Sequence, residues 1–239
     1  DSNDDEVIFA HTVAEKDNRL MVLGIVSDLN GGEAPEIVEF NGKPFTQQPS
    51  GNPEVIEFGS TCRLTVWAII MPDVGTHNIL IDFGAIQTTI IAMASSWYNV
   101  DQTGAGGNHD SAKATADAGP ITVDIVSSGA EIVIDIAACT DNDETMTATL
   151  PEQTEVSGAG GVQVGDVRLG SSYETGAAAT TMSWALGNPC SWATWSMALY
   201  GTKPGLPYLY AQRGKKSGSS STAKVNKFSL SNIDFGVTS

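Results

Sequence analysis

Apolar residues along this chain recur at every second position and almost never at helical spacing, which is the signature of β-strands. Within 62–70, Cys62, Leu64, Val66, Ala68 and Ile70 share one face, with Arg63, Thr65 and Trp67 on the other. Within 121–125, Ile121, Val123 and Ile125 alternate with Thr122 and Asp124. Similar runs at 7–13, 20–27, 36–40, 77–83, 88–97, 131–139, 180–186 and 191–200 predict further strands. Their β-branched content suits a half-buried pleated surface. Turn signals separate the runs: Asn30-Gly31-Gly32, Pro49-Ser50-Gly51-Asn52-Pro53, Pro72-Asp73-Val74-Gly75, Ser127-Ser128-Gly129 and Gly187-Asn188-Pro189. Asn41-Gly42, set between Ile37-Val38-Glu39-Phe40 and Lys43-Pro44-Phe45-Thr46, predicts a two-residue hairpin. No segment longer than about two turns reads as an amphipathic helix. Many short strands at this spacing predict an all-β protein, a two-sheet antiparallel β-sandwich of jelly-roll-like topology.

After Tyr200 the pattern changes. Pro204-Gly205 opens the segment, 206–213 reads as a strand, 214–221 as a Gly/Ser linker, and alternation resumes over 224–237. Phe228 and Leu230 have even parity while Ile233, Phe235 and Val237 have odd parity, so the inward face switches near Ser231-Asn232, as a bulge or a change of partner strand would require. The expected organisation is a β-sandwich domain over 1–200 and a basic C-terminal extension with an assembly strand over 201–239.

Charge sharpens that division. Residues 1–200 carry 6 Lys+Arg against 27 Asp+Glu, a net −21, whereas 201–239 carry 6 against the single acid Asp234, a net +5. A short basic segment on a strongly acidic body is attracted to that body, its own or a neighbour's. The acidic body also argues against nucleic-acid binding, which needs clustered cations. No apolar run has the length of a membrane-spanning helix; the densest, Leu64 to Met71, is strand-sized. The sequence begins at Asp1, which permits removal of a leader and hence secretion. Cys62, Cys139 and Cys190 lack metal-ligand spacing, and three thiols leave room for one internal disulfide or for buried free cysteines.

Candidate chemistry is sparse. His11, His77 and His109 are scattered, and none sits in a nucleophile motif, so no catalytic residue is assigned and the reading is non-enzymatic. His77 reads as a strand-entry residue and His109, beside Asp110, as a solvated loop residue. Asp141, Asp143 and Glu144 gather hard oxygen ligands in one turn, which makes Ca²⁺ the metal such a turn would take. Counting from Asp141, however, the sixth position of an EF-hand loop falls on Met146 rather than Gly. No cofactor is required. Of the five Trp, Trp192 and Trp195 have opposite parity in one strand. In a regular strand only one of them faces inward, and the outward one is the candidate contact for a sugar or a protein. No Asn-x-Ser/Thr sequon occurs.

Several motifs together resemble a known module. They begin with Asn18-Arg19-Leu20-Met21-Val22-Leu23-Gly24, the 37–46 hairpin, Val66-Trp67 and Pro72-Asp73-Val74-Gly75-Thr76-His77-Asn78-Ile79. Asn99-Val100-Asp101-Gln102-Thr103, Glu131-Ile132-Val133-Ile134-Asp135, Tyr173-Glu174-Thr175-Gly176, Met182-Ser183-Trp184 and Trp192-Ala193 follow. In that order they resemble a β-sandwich module recurring in bacterial secreted and surface proteins and in phage structural proteins. The resemblance covers roughly 7–200 and implies a non-catalytic building block displayed on a surface or particle. It carries over no active-site residue, and the extension after Tyr200 and the polar stretch 104–118 depart from it.

The expected function is therefore a structural subunit of a multi-copy assembly, a virion surface protein or an extracellular filament or coat. Its partners would be other copies of itself or neighbouring structural subunits. Lys215, Lys216, Lys224 and Lys227 would supply charge, and Phe228, Leu230, Ile233 and Phe235 burial, as the tail strand adds to a sheet edge. The alternative is a carbohydrate-binding or adhesive module whose partners are surface glycans.

Overall fold

The computed structural model describes residues 5–28, 34–60, 62–87, 89–103, 107–140, 145–158, 160–202, 208–210, 212–215 and 226–231, the last three by backbone alone. These residues form strands, turns and loops without a helix. In chain order the strands are β1 (Glu6–Val13), β2 (Leu20–Asp28), β3 (Ile37–Phe40), β4 (Lys43–Pro44), β5 (Thr46–Gln47), β6 (Ile56–Phe58) and β7 (Cys62–Ile70). There follow β8 (Gly75–Asp82), β9 (Ile90–Tyr98), β10 (His109–Asp117), β11 (Ile121–Ile125), β12 (Glu131–Thr140), β13 (Met146–Ala148) and β14 (Thr154–Glu155). The last are β15 (Val162–Val164), β16 (Val167–Thr175), β17 (Thr180–Leu186), β18 (Cys190–Tyr200), β19 (Tyr208–Tyr210), β20 (Gln212–Lys215) and β21 (Asn226–Ser231).

The strands build four sheets. Sheet I has the order β1-β8-β3-β4, and sheet II the order β20-β21-β9-β2-β7-β5 with β19 on β9 and β6 on β7. Sheet III runs β10-β18-β12-β16-β14 with β15 on β16, and sheet IV runs β11-β17-β13. Every pairing is antiparallel except β21 on β9, the one parallel pair among the described residues. The protein is thus all-β, with several antiparallel sheets.

The period-two pattern explains how the sheets stack. Leu20, Val22, Leu64, Val66, Ile91 and Trp97 of sheet II share one apolar cluster with Ile134, Ile136, Leu169 and Trp195 of sheet III. The opposite parity of the same strands, Met21, Leu23, Ile25 and Ile90, packs against Val7, Phe9, Phe40, Ile79 and Ile81 of sheet I. On the far side of sheet III, Ala137, Cys139 and Trp192 meet Ile121, Met146 and Trp184 of sheet IV. Val133 and Ala198 there meet Val123, Ile125 and Met182. Sheets II and III are therefore covered on both faces, and burying a large apolar side chain there contributes roughly 1.5–3 kcal/mol.

That layering corrects two expectations. The sheets number four rather than two, and the central strands are not half-buried: eight of the nine residues of β9 are buried. Alternation between apolar and small polar residues does not distinguish a solvent face from a second packed face. Two glycines permit the close approach of layers. A Cβ on Gly24 of β2 would lie 2.7 Å from Ile136 Cγ2 of β12, and one on Gly170 of β16 would lie 2.9 Å from Trp184 Cη2 of β17.

The Asn41-Gly42 hairpin forms as read, with Phe40 opposite Lys43. Asn41 and Gly42 have φ of 52° and 75°, the left-handed pair that a tight two-residue turn requires. All three cysteines are buried, and none of them forms a disulfide. No helix among the described residues is long and apolar enough to cross a membrane.

Candidate functional site

Sheets II and III end at different places on one side of the molecule, and a cleft opens between them. Sheet II terminates there in β5 and β6, while β10 is the last strand of sheet III. The β18 residues of odd parity face sheet II, so Trp195 and Met197 form part of the cleft wall. Pro44, Pro49, Ile70, Thr46, Gln48, Ser50, Thr103 and His109 complete it around a volume of about 580 Å³. A second concavity of about 420 Å³ shares Pro49 and His109 with the first and is lined further by Asn52, Glu54, Asp110 and Ser111.

The 48–54 loop that forms one wall is tied down. Gln48 N donates to Val66 O at 2.7 Å and Glu54 N to Gln48 O at 3.1 Å. Gln47 Nε2 donates to Glu54 O at 2.9 Å, and Ser111 Oγ of β10 donates to Glu54 Oε1 at 2.6 Å. The loop is therefore held both to sheet II and to the edge of sheet III, as a binding loop on a fixed scaffold should be. On the other wall the exposed His109 ring stacks with Trp195, centroids 6.5 Å apart and planes 19° from parallel. The Trp195 indole N–H finds no acceptor among the described residues.

The other unusual site is the outer edge of β9. Its inner edge pairs with β2 over Leu20↔Trp97 to Ser27↔Ile90. Among the described residues its outer edge pairs only with strands that follow residue 207: β19, with Tyr208 opposite Tyr98 and Tyr210 opposite Ser96, and β21, with Asn226 opposite Ile91 and Ser229 opposite Ala94. β20 in turn pairs with β21, Lys215 opposite Phe228. Lys215, Lys227, Phe228 and Leu230 therefore lie on strands joined to sheet II. Lys216, Lys224, Ile233 and Phe235 lie outside the described residues, as do Asp141, Asp143 and Glu144. Among the described residues no group of three or more His, Cys, Asp or Glu could hold a metal ion.

Trp192 and Trp195 are 5% and 1% exposed. The expectation that only one faces the interior does not hold, because β18 is covered on both faces: Trp192 packs towards sheet IV and Trp195 towards sheet II. Neither presents a free aromatic face. His109 opens strand β10 rather than sitting in a loop.

The most perturbed acid is a residue that the sequence reading quoted only within its resemblance motif. Asp135 of β12 is fully buried between sheets III and IV. It accepts bonds from Ser172 N at 2.8 Å, Ser172 Oγ at 2.5 Å and Trp184 Nε1 at 2.6 Å. Burial outweighs those three bonds and pushes its carboxyl up to about 7. Gln153 extends the network, donating to Ser172 Oγ at 2.7 Å and accepting from Ser183 N at 3.0 Å. Asp135 lines no cavity described above, so this network fastens layers together. In sheet I, His11 is 1% exposed with Nε2 2.7 Å from Ser96 Oγ, and burial lowers its pKa to about 4.

The cleft residues were not legible as a group. Pro49-Ser50-Gly51-Asn52-Pro53 signals a turn, but nothing local tells that it will face His109, some sixty positions away on another sheet. No family model, no curated protein and no solved structure matches the chain.

Proposed function

We propose that this protein is a non-enzymatic structural subunit of a multi-copy surface assembly, on a virion or in an extracellular filament or coat, that assembles through its C-terminal extension. The observation that supports this reading is the edge of β9. A nine-residue strand whose side chains are almost all buried has one edge that, among the described residues, is bonded only by those beyond 207. An apolar edge of that length is a template for strand addition, and natural proteins cover such edges. Here the cover comes from a basic segment attached to a body of net charge −21. The same segment delivered to a neighbour's β9 would make the same backbone bonds and meet the same acidic surface, a head-to-tail contact that propagates.

On this reading the four layers serve as a sandwich-type building block, sheets II and III forming its centre. Its partners are copies of itself or neighbouring structural subunits, and it needs no cofactor. Light scattering at low and high salt tests the proposal on three chains: the full sequence, one lacking 214–239 and one ending at Tyr200. The full chain is expected to form large complexes that salt weakens, while both shortened chains stay folded and monomeric. Shortened chains that still assemble, or a full chain that is monomeric at every concentration, would refute it.

A further inference from the structure

We propose that the cleft between the 48–54 loop and β10 is a binding site for a neutral oligosaccharide. This site is separate from the β9 edge and does not depend on the assembly reading. Its dimensions fall within the range of small-molecule sites, roughly 300–1,000 Å³, and it continues past Pro49 and His109 into a second concavity. That continuation suits a chain of rings better than a compact ligand.

The chemistry of the walls selects the class of ligand. Thr46, Ser50 and Thr103 offer hydroxyls, and all three are exposed. Among the described residues neither concavity is lined by Lys or Arg, so an anion would enter without a counter-charge and against the field of a protein of net charge −16. Glu54, the nearest carboxylate on the loop, already accepts from Ser111. The first concavity is thus a neutral surface of hydrogen-bonding groups set against apolar ones, Pro44, Pro49 and Ile70, while the carboxylates of Glu54 and Asp110 line only the second. Sugars present the same alternation, with hydroxyls around the rim of the ring and C–H groups on its faces.

Trp195 gives the site a specific anchor. It borders the cleft, it is buried, and its N–H has no acceptor among the described residues. A buried donor left unpaired costs free energy that a ligand oxygen could recover. The exposed imidazole of His109, stacked with the buried indole, is the ring that a sugar would meet first.

The test uses the full chain on an array of neutral, sialylated, sulfated and uronic-acid glycans, followed by calorimetric titration of the strongest neutral oligosaccharide. Ser50→Trp puts bulk into the cleft from an exposed loop position, and His109→Ala removes the stacked ring from an exposed one. Both are expected to keep the wild-type unfolding midpoint. Ser50→Trp is expected to weaken binding by about tenfold or more, equivalent to about 1.4 kcal/mol. His109→Ala should change the affinity measurably. In ¹H–¹⁵N spectra the Trp195 indole signal, identified by its absence in Trp195→Phe, should shift on titration while that of Trp184 does not. Silence across the array, binding confined to acidic glycans, or wild-type affinity in a folded Ser50→Trp protein would each overturn the proposal.

Discussion

Trp184 Nε1 donates to Asp135 Oδ2 at 2.6 Å, and this bond joins sheet IV to sheet III through the middle of their shared core. The Asp135 carboxyl titrates near 7 in the folded protein and near 3.8 as a free side chain. Between those values the native state binds the proton and the unfolded chain does not, so stability rises as pH falls from 7 towards 4. The cost of the buried charge is complete above 7 and gone below 4. Asp135→Asn keeps the shape but turns an amide N–H₂ towards donors that now meet a carboxylate. We expect a loss of roughly 1–3 kcal/mol and a flatter pH dependence. Urea midpoints of both proteins from pH 4 to 8 check this; parallel curves would show that Asp135 does not control the slope.

His11 acts in the opposite direction. Burial lowers its pKa from 6.5 to about 4, so below 6.5 the unfolded chain takes up a proton that the native state refuses. The stability it contributes is complete above 6.5 and is lost as pH falls towards 4, a change of at most roughly 3 kcal/mol. Its contribution therefore opposes that of Asp135 over the shared window. His11→Gln cannot titrate there, so it should lose less stability than wild type between pH 6.5 and 4. The same urea series measures it, and an unchanged acid limb would count against the assignment.

Gly24 and Ile136 set the spacing of the two central sheets. A Cβ on Gly24 would stand 2.7 Å from Ile136 Cγ2 and 2.9 Å from its Cδ1, and Ile136 is itself buried. Gly24→Ala should therefore cost roughly 1–3 kcal/mol through overpacking. Ile136→Ala removes both clashing atoms and should cost about 2–5 kcal/mol alone. The double variant should lose less than the two single losses together, a coupling that a double-mutant cycle in urea reads directly.

These contacts show why strands were legible and their environment was not. Cys62–Ile70, Ile121–Ile125 and Thr180–Leu186 have the bounds that alternation predicted, because period two is a local property of the backbone. Two long strands escaped it, as did the short β6, β13, β14 and β15. β16 carries Gly170, Ser171 and Ser172 at its centre, residues that look like a turn until Trp184 is seen over Gly170 and Asp135 beside Ser172. β10, His109–Asp117, alternates weakly because it is an edge strand with little buried surface. The number of layers was hidden for a related reason: Ser95 and Ser96 of β9 look solvent-facing, yet one accepts from Trp97 Nε1 and the other meets His11. Polar residues can line an interface when a partner on their own strand or on a distant one satisfies them, and neither the cleft nor the Asp135 network leaves a local trace.

The edge of β9 offers the most direct prediction about the extension. A strand's amides point alternately to its two neighbours, so about half of those in β9 face β2 and the rest face β19 and β21. In a chain ending at Tyr200, every second amide from Ile91 to Trp97 should lose hydrogen-exchange protection, while those of β2 and β12 keep theirs. Supplying 201–239 as a separate peptide should restore the lost set, which would establish that the strand can be donated in trans. Uniform protection of β9 in the shortened chain would mean that its outer edge does not depend on the extension, and collapse of all of sheet II would mean that the extension is part of the core itself.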